Sequence, residues 1–418
     1  MIGKISSASR PFICWLLLVV AACASDPVGP STLTALPRPL TDAERFVGSS
    51  GNRFSFHLLR QINLAQRDSN VFISPLSASM ALGMTQNGAA GATADEMRSA
   101  LGFGDASQQS INEGYRGLIG LLRGLDRGTD LRVANSIFYR DDFPFEQSFL
   151  ETGRTWFGAE VKGLDFTAPG SVTTINDWVS RSTNAKIPAI IESIDPLDVM
   201  YLMNAVYFKG SWRSRFDPNE TANAQFRRAD GTAEPMKLMH QTAMLRYFET
   251  PEMQGVELLY GNGAFAMTVI LPTAGRDVNE VVGSLTETSW AEWTARFAER
   301  EVELYLPKLK LAYERPMNDD LKALGMRLAF RDGEADFTGL SPLGRELFIS
   351  KVKQKTFVDI HEEGTEAAAV TVVVVGTTSM SVTPIMRVDR PFLFAIRERF
   401  SGTILFVGKI VRMPATGG

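Results

Sequence analysis

"HEEGTEAAAVTVVVVGTTSMSVTP", residues 361–384, is the stretch on which the reading of this chain turns. Glu366-Ala367-Ala368-Ala369 favours helix, whereas Thr371-Val372-Val373-Val374-Val375 has the composition of a strand covered on both faces. Neither run ends cleanly. A segment pulled both ways is either a blurred boundary or a segment that adopts two conformations in turn.

Its surroundings narrow the choice. The chain has 418 residues, 44% of them hydrophobic, enough to bury a large core. Lys and Arg number 43 against 47 Asp and Glu, a net charge of −4 with no basic block, which argues against a nucleic-acid partner. No internal repeat and no low-complexity segment is present.

Lys4 and Arg10 precede "PFICWLLLVVAA" (11–22), an apolar run short for a membrane span. The run ends in Val20-Ala21-Ala22-Cys23, which resembles the lipobox of bacterial lipoproteins. That resemblance implies a signal peptide over 1–22, an acylated Cys23 as the new N-terminus, and export to the bacterial cell envelope with a lipid as the only membrane contact. An ordinary secretory signal cleaved nearby is the alternative. Removing residues 1–22 takes away Lys4 and Arg10 and moves the net charge to −6. Cys14 and Cys23 are the only cysteines, so the body has no thiol: disulfide scaffolds, cysteine nucleophiles and cysteine metal sites are excluded.

Residues 24–40 carry four prolines and no hydrophobic period; with Cys23 and the following few residues they are expected to form a flexible tether over 23–45. Thr41-Asp42-Ala43-Glu44 has the capping-box pattern, and Phe54, Phe56, Leu58, Leu59 and Ile62 predict a helix buried on one side. "SPLSASMALGMTQNGAAGATADEMRSAL" (74–101) predicts two helices parted at Gly88–Gly91, "LRVANSIFYR" (131–140) a strand, and "TINDWVSRSTNAKI" (174–187) a helix. After residue 200 strand patterns dominate: "MYLMNAVYFKG" (200–210), "AFAMTVILP" (264–272), "EVELYLPKLKLAYE" (301–314) and "GTILFVGKI" (402–410). Helices first and strands later, with no composition break after residue 45, predict a single large α+β domain over 46–418.

Signatures of catalysis are missing. His57, His240 and His361 are the only histidines, no G-x-S-x-G elbow occurs, and "GLSPLG" (339–344) is out of register for one. His361-Glu362 begins like a zinc helix, but Thr365 stands where the second histidine belongs. Neither a P-loop nor a dinucleotide pattern is present. Cofactors and metals are therefore not expected, nor is enzymatic activity.

"EEGTEAAA" (362–369) resembles the hinge of the serpin family of serine protease inhibitors. "NVFISPLSASMAL" (70–82), "INDWVSRSTNAKI" (175–187), "LMNAVYFKGSW" (202–212), "LPKLKL" (306–311) and "DRPFLFAIR" (389–397) are similar to family signatures in the family's order, across roughly residues 45–413. The resemblance implies the serpin fold: a main β-sheet, further sheets, surrounding helices and an exposed reactive-centre loop at about 362–384. It also implies a mechanism, in which the target's serine forms an acyl-enzyme and the cleaved loop inserts into the main sheet before water releases it.

The opening stretch suits such a loop. Gly364 bends without a Cβ penalty, and Thr365, Ala367, Ala369 and Thr371, the alternate residues that would turn inward on insertion, are small and uncharged. Glu366 and Ala368 fall on the other face, and the valines favour the inserted strand. A serpin-fold binding or scaffolding protein, its loop merely a substrate, is the rival; bulky or charged hinge residues would have favoured it. The family's spacing implies Thr378–Ser379 as the scissile bond, with Met380–Ser381 as the alternative because the far side of the loop runs slightly long. No Arg or Lys lies between Lys355 and Arg387, which points to elastase-, subtilisin- or chymotrypsin-like targets.

By the same resemblance, Glu362 and Glu363 open the hinge, Ser74, Ser77, Asn204 and Gln354 form the polar cluster where strands part, and Trp212 and Lys308 mark where the loop first enters. Gln354 replaces a histidine common in the family. Lys308 is expected to pair with Glu362 or Glu363. A monomer is expected, with an exposed β-rich loop that tends towards loop–sheet polymers.

Overall fold

Thr41 caps the first helix, α1 (Asp42–Ala65), reciprocally: its side chain accepts from the Glu44 N–H at 3.2 Å, and the Glu44 carboxylate accepts from the Thr41 N–H at 2.8 Å. The five apolar residues picked out for this helix are all buried, and His57 lies on its exposed side. The structure is a computed structural model that describes residues 32–365 and 383–414, with Met1 and Gly3. Packing divides the chain into Met1–Ser31 and Thr32–Gly418, and every element below belongs to the second unit.

Residues 32–40, expected as part of a free tether, lie on the body of that unit. Leu33, Leu36 and Leu40 pack against the core, the Leu33 N–H donates to Asn262 O at 2.8 Å, and Arg38 holds Glu44 with both guanidinium arms at 2.6 and 2.7 Å. The three leucines have the three-and-four spacing of a helix face, but Pro37 and Pro39 rule out a helix there and mask the pattern.

Five further helices follow α1 before residue 200. α2 (Pro75–Gln86) and α3 (Gly91–Leu101) divide where expected, followed by α4 (Gln108–Gly124), α5 (Gln147–Phe157) and α6 (Gly170–Ser182). α6 starts earlier than its sequence pattern and stops at Ser182, because Asn184 and Ala185 adopt positive φ of 51° and 60°.

One sheet runs β10 (Leu309–Pro316), β11 (Lys353–His361), β12 (Gly364–Thr365), β4 (Met200–Ser211), β2 (Thr129–Arg140), β3 (Glu160–Leu164). The other runs β1 (Val71–Ile73), β15 (Ile404–Ile410), β14 (Phe392–Glu398), β8 (Phe265–Pro272), β7 (Met253–Leu259), β6 (Ala233–Glu249), β9 (Ala298–Pro307), β13 (Ile385–Arg387), with β5 (Ala222–Arg227) also on β6. "EVELYLPKLKLAYE" proves to be two strands in different sheets, β9 and β10, parted at Lys308 beside Pro307.

Both faces of the first sheet are covered. Phe138, Met203 and Ala205 pack under Ile175, Trp178 and Val179 of α6, while Val133, Val358 and Ile360 join the main core with α2. β12 touches β11 only at Ile360 and His361, and β4 only at Gly210 and Ser211. Along the rest of that seam, neither β4 nor β11 has a ladder partner among the described residues.

Candidate functional site

Three described residues of the opening stretch lie in the sheet, His361 at the end of β11 and Gly364 and Thr365 as β12. Gly364 pairs with Ser211 and His361, and Thr365 with Gly210 and Ile360. Gly364 has φ +150°, and a Cβ there would stand 2.2 Å from Gly210 O, so no other residue fits this state. The Thr365 side chain is buried and its hydroxyl shares a 2.7 Å hydrogen bond with Tyr260. Tyr260 in turn stacks on Trp212, ring centroids 4.5 Å apart.

Trp212 fastens the turn before Gly364 from two directions: its N–H donates to Glu363 O and its indole Nε1 to His361 O, each at 2.9 Å. Glu362 is almost fully buried and accepts from Lys308 Nζ at 2.8 Å and Thr221 Oγ1 at 2.9 Å, while its carbonyl accepts from the Phe216 N–H. Burial alone would raise the Glu362 carboxyl, but the bonds from Lys308, a backbone N–H and Thr221 outweigh it and hold the group below the usual carboxylate range. The expected choice of partner for Lys308 thus falls on Glu362. The Glu363 N–H faces His361 Nδ1 at 3.4 Å.

The polar cluster sits in the seam below, in two halves joined by the start of α2. On the β11 side, Gln354 makes a paired contact with the Ser74 backbone, Oε1 accepting from the N–H at 3.0 Å and Nε2 donating to the carbonyl at 2.8 Å. Ser74 Oγ donates to Leu405 O, and Thr356 Oγ1 to Phe72 O. On the β4 side, Ser77 Oγ donates to Asn204 O at 3.2 Å, and Asn204 Nδ2 to Asn135 Oδ1 at 2.5 Å. Asn204 Oδ1 is buried with no partner among the described residues. Ser74, Ser77, Asn204 and Gln354 therefore all border the seam, and among the described residues none of these bonds joins its two sides.

Beneath Thr365 the gap opens as a small cavity between Val206 and Phe208 of β4 and Phe357 and Asp359 of β11, roofed by Thr183 and Lys186 beyond α6. The roof is strapped down: Lys355 Nζ donates to Ala189 O at 3.0 Å, and Lys186 Nζ lies 5.4 Å from the Phe357 ring. Sequence reasoning missed Tyr260, Thr221, Asn135 and Thr356. An asparagine inside an apolar strand, as in "RVANSIF", was a usable signal for Asn135; the other three carry none. Cys23, Glu366 to Ala369 and Thr378 to Ser381 lie outside the described residues.

A family model described as "Serpin (serine protease inhibitor)" matches residues 49–413, more than half of the chain. The chain belongs to the serpin family. Human Serpin B11 is 32% identical over 380 residues, 85% of this serpin and 97% of that protein. Among solved structures, the thermophilic serpin tengpin in its native state is similar with a TM-score of 0.79 and 30% identity, covering 92% of this serpin and 98% of that chain. Human thyroxine-binding globulin complexed with its hormone gives a TM-score of 0.81 at 28% identity, covering 89% and 99%.

The fold is thus the serpin fold in a single α+β domain, and the family acts in general through protease inhibition. Among the described residues, β4 and β11 meet across this seam only through Gly364 and Thr365 at one end, with small polar side chains along it. Among the described residues, no cluster of three His, Cys, Asp or Glu side chains is placed to hold a metal ion.

Proposed function

We propose that this serpin is an irreversible suicide-substrate inhibitor of elastase-, subtilisin- or chymotrypsin-like serine proteases, trapping the acyl-enzyme by inserting its cleaved loop into the seam. The observation that carries this reading is β12: Gly364 and Thr365 are seated between β4 and β11, at the start of a ladder that the residues after them can continue. The residues that follow alternate small side chains on the inward face, so insertion meets no charge. The chain supplies conformational free energy and the protease supplies the nucleophile; the serpin itself is not an enzyme in this scheme. Thr378–Ser379 is the preferred scissile bond, and Met380–Ser381 the alternative.

A second reading, a binding or scaffolding serpin whose loop is only cleaved, draws support from the likeness to thyroxine-binding globulin. Incubating residues 24–418 with an elastase and a subtilisin separates the two. A band at the summed mass that survives denaturant is expected. The released peptide should begin at Ser379, or at Ser381 for the alternative. Clean cleavage without a covalent band by several serine proteases would establish the second reading.

We further propose acylation at Cys23, which would hold the inhibitor on the cell envelope of a bacterium. The Val20-Ala21-Ala22-Cys23 pattern supports this, and the mass of the mature N-terminal peptide tests it. Its protein partner is then a protease met at that surface. Self-association through loop and seam is the associated hazard.

A further inference from the structure

At the C-terminal root of the loop, three strands present one flat outer face. β9 lies between β6, antiparallel to it, and β13, parallel to it, and the two registers set residues in rows across the strands. Thr242, Glu303 and Ile385 form one row. Met244 and Glu301 begin the next, and Thr383, two residues ahead of Ile385, completes it with its Oγ1 3.4 Å from Glu301 Oε2. The Glu303 N–H fixes the chain between these rows by donating to Pro384 O at 3.0 Å.

Strand alternation turns these six side chains to one side, while Val302, Leu304 and Met386 between them are buried on the other. Met244 and Ile385 are each 55% exposed, which places them among the few large apolar side chains of the described residues left more than half open to water. One such side chain needs no explanation. Here two share a face, two strand spacings or roughly 10 Å apart, with the carboxylates of Glu301 and Glu303 between them. None of the six is basic.

The place of this face says what covers it. Residues 366–382 of the loop lie outside the described residues, and the chain re-enters the body at Thr383, on the face itself. The preferred scissile bond, Thr378–Ser379, precedes Thr383 by five residues, a reach of at most roughly 17 Å even when fully extended. Met380–Ser381 is nearer still. A protease domain of about 250 residues is roughly 40 Å across, so one that clasps either bond extends well beyond the short arm that joins the bond to this face.

We propose that this face docks the target protease, with an apolar patch of the protease seated on Met244 and Ile385 and a lysine or arginine of its rim on Glu301 and Glu303. The inference deepens the reading of the loop as protease bait and adds to it a surface that selects the partner. Docking precedes acylation, so it raises affinity and the rate of encounter and leaves loop insertion unaltered. Met244 and Thr242 belong to β6, the strand of the three farthest from the loop, so replacing them changes the face and leaves the loop sequence intact.

The test uses residues 24–418 with an elastase and a subtilisin whose catalytic serine is replaced by alanine, so that binding is read without acylation. Thr242→Arg combined with Met244→Ser should weaken binding about tenfold to whichever protease the parent binds more tightly, the size of losing one apolar anchor. Leu64→Ser, at an exposed leucine of α1, should bind as the parent does. Added salt should weaken the parent and have less effect on Glu301→Gln combined with Glu303→Gln. Affinities of the β6 double variant within twofold of the parent overturn the docking face, and a parent indifferent to salt overturns its cationic partner. Unmodified proteases then separate this inference from the inhibitor reading. A denaturant-stable band in the parent with unweakened binding in the β6 variant sinks the face alone. Weakened binding in the variant without any such band in the parent keeps the face and sinks the inhibitor.

Discussion

At the scale of single residues, Thr365 is where the hinge commits itself, because its hydroxyl is already buried against Tyr260. An arginine there would have to bring a guanidinium into the buried site that the Thr365 hydroxyl shares with Tyr260, at a cost of several kcal/mol. Thr365→Arg is expected to abolish the denaturant-stable protease band while leaving the loop cleavable, which a denaturing gel with an elastase reports. Glu362 gives a pH signature of its own. Its carboxyl is depressed in the folded state, so its stabilising contribution is full above the ordinary carboxylate range and disappears as pH falls through the depressed value. The urea midpoints of the parent and Glu362→Gln should differ at about pH 7 and converge below about pH 4. A difference that persists in acid would remove this account.

At the scale of elements, the two faces of β11 are held by side chains with different tasks. Lys355 straps the segment after α6 over the sheet, while Gln354, one residue earlier and facing the opposite way, binds Ser74 at the start of α2. Gln354→Leu would leave the buried N–H and carbonyl of Ser74 without these bonds, a loss of about 3 kcal/mol. A lowered urea midpoint should show it, and a midpoint within error of the parent would mean that water or another group takes over.

Much of this layer was legible in advance. Capping residues, alternating strands and the break between α2 and α3 are local signals, and each appears where its residues place it. What could not be read were features set by distant partners. The change of sheet at Lys308, the end of α6 at Ser182, and the tyrosine that receives Thr365 all depend on chain segments far off in sequence. The leucines of residues 32–40 escaped for the opposite reason: they anchor an extended stretch whose prolines suggest freedom.

At the scale of the whole molecule, the loop proposed to insert between β4 and β11 has the composition of a strand covered on both faces. A neighbour's loop offers the same residues as the chain's own, so mild heating should produce ladders of loop–sheet polymers on a native gel. Recovery of unchanged monomer would count against that.

The two residue pairs at the top of the seam also work as a ruler. If the loop inserts as proposed, stepping down one residue at a time from Gly364 opposite Ser211 would set Thr371 opposite Asn204, and stepping from Thr365 opposite Ile360 would set the same Thr371 opposite Gln354. The Asn204 acceptor, without a partner among the described residues, would then meet a hydroxyl. Val375, the last of the valines, would come level with Met200, where β4 begins. At about 3.3 Å per residue, the distance from hinge to that end is roughly 36 Å. The sheet therefore specifies a length as well as a composition. Adding or removing one residue between Thr365 and Thr371 would turn the valines and Thr371 to the wrong face, whichever residue it was.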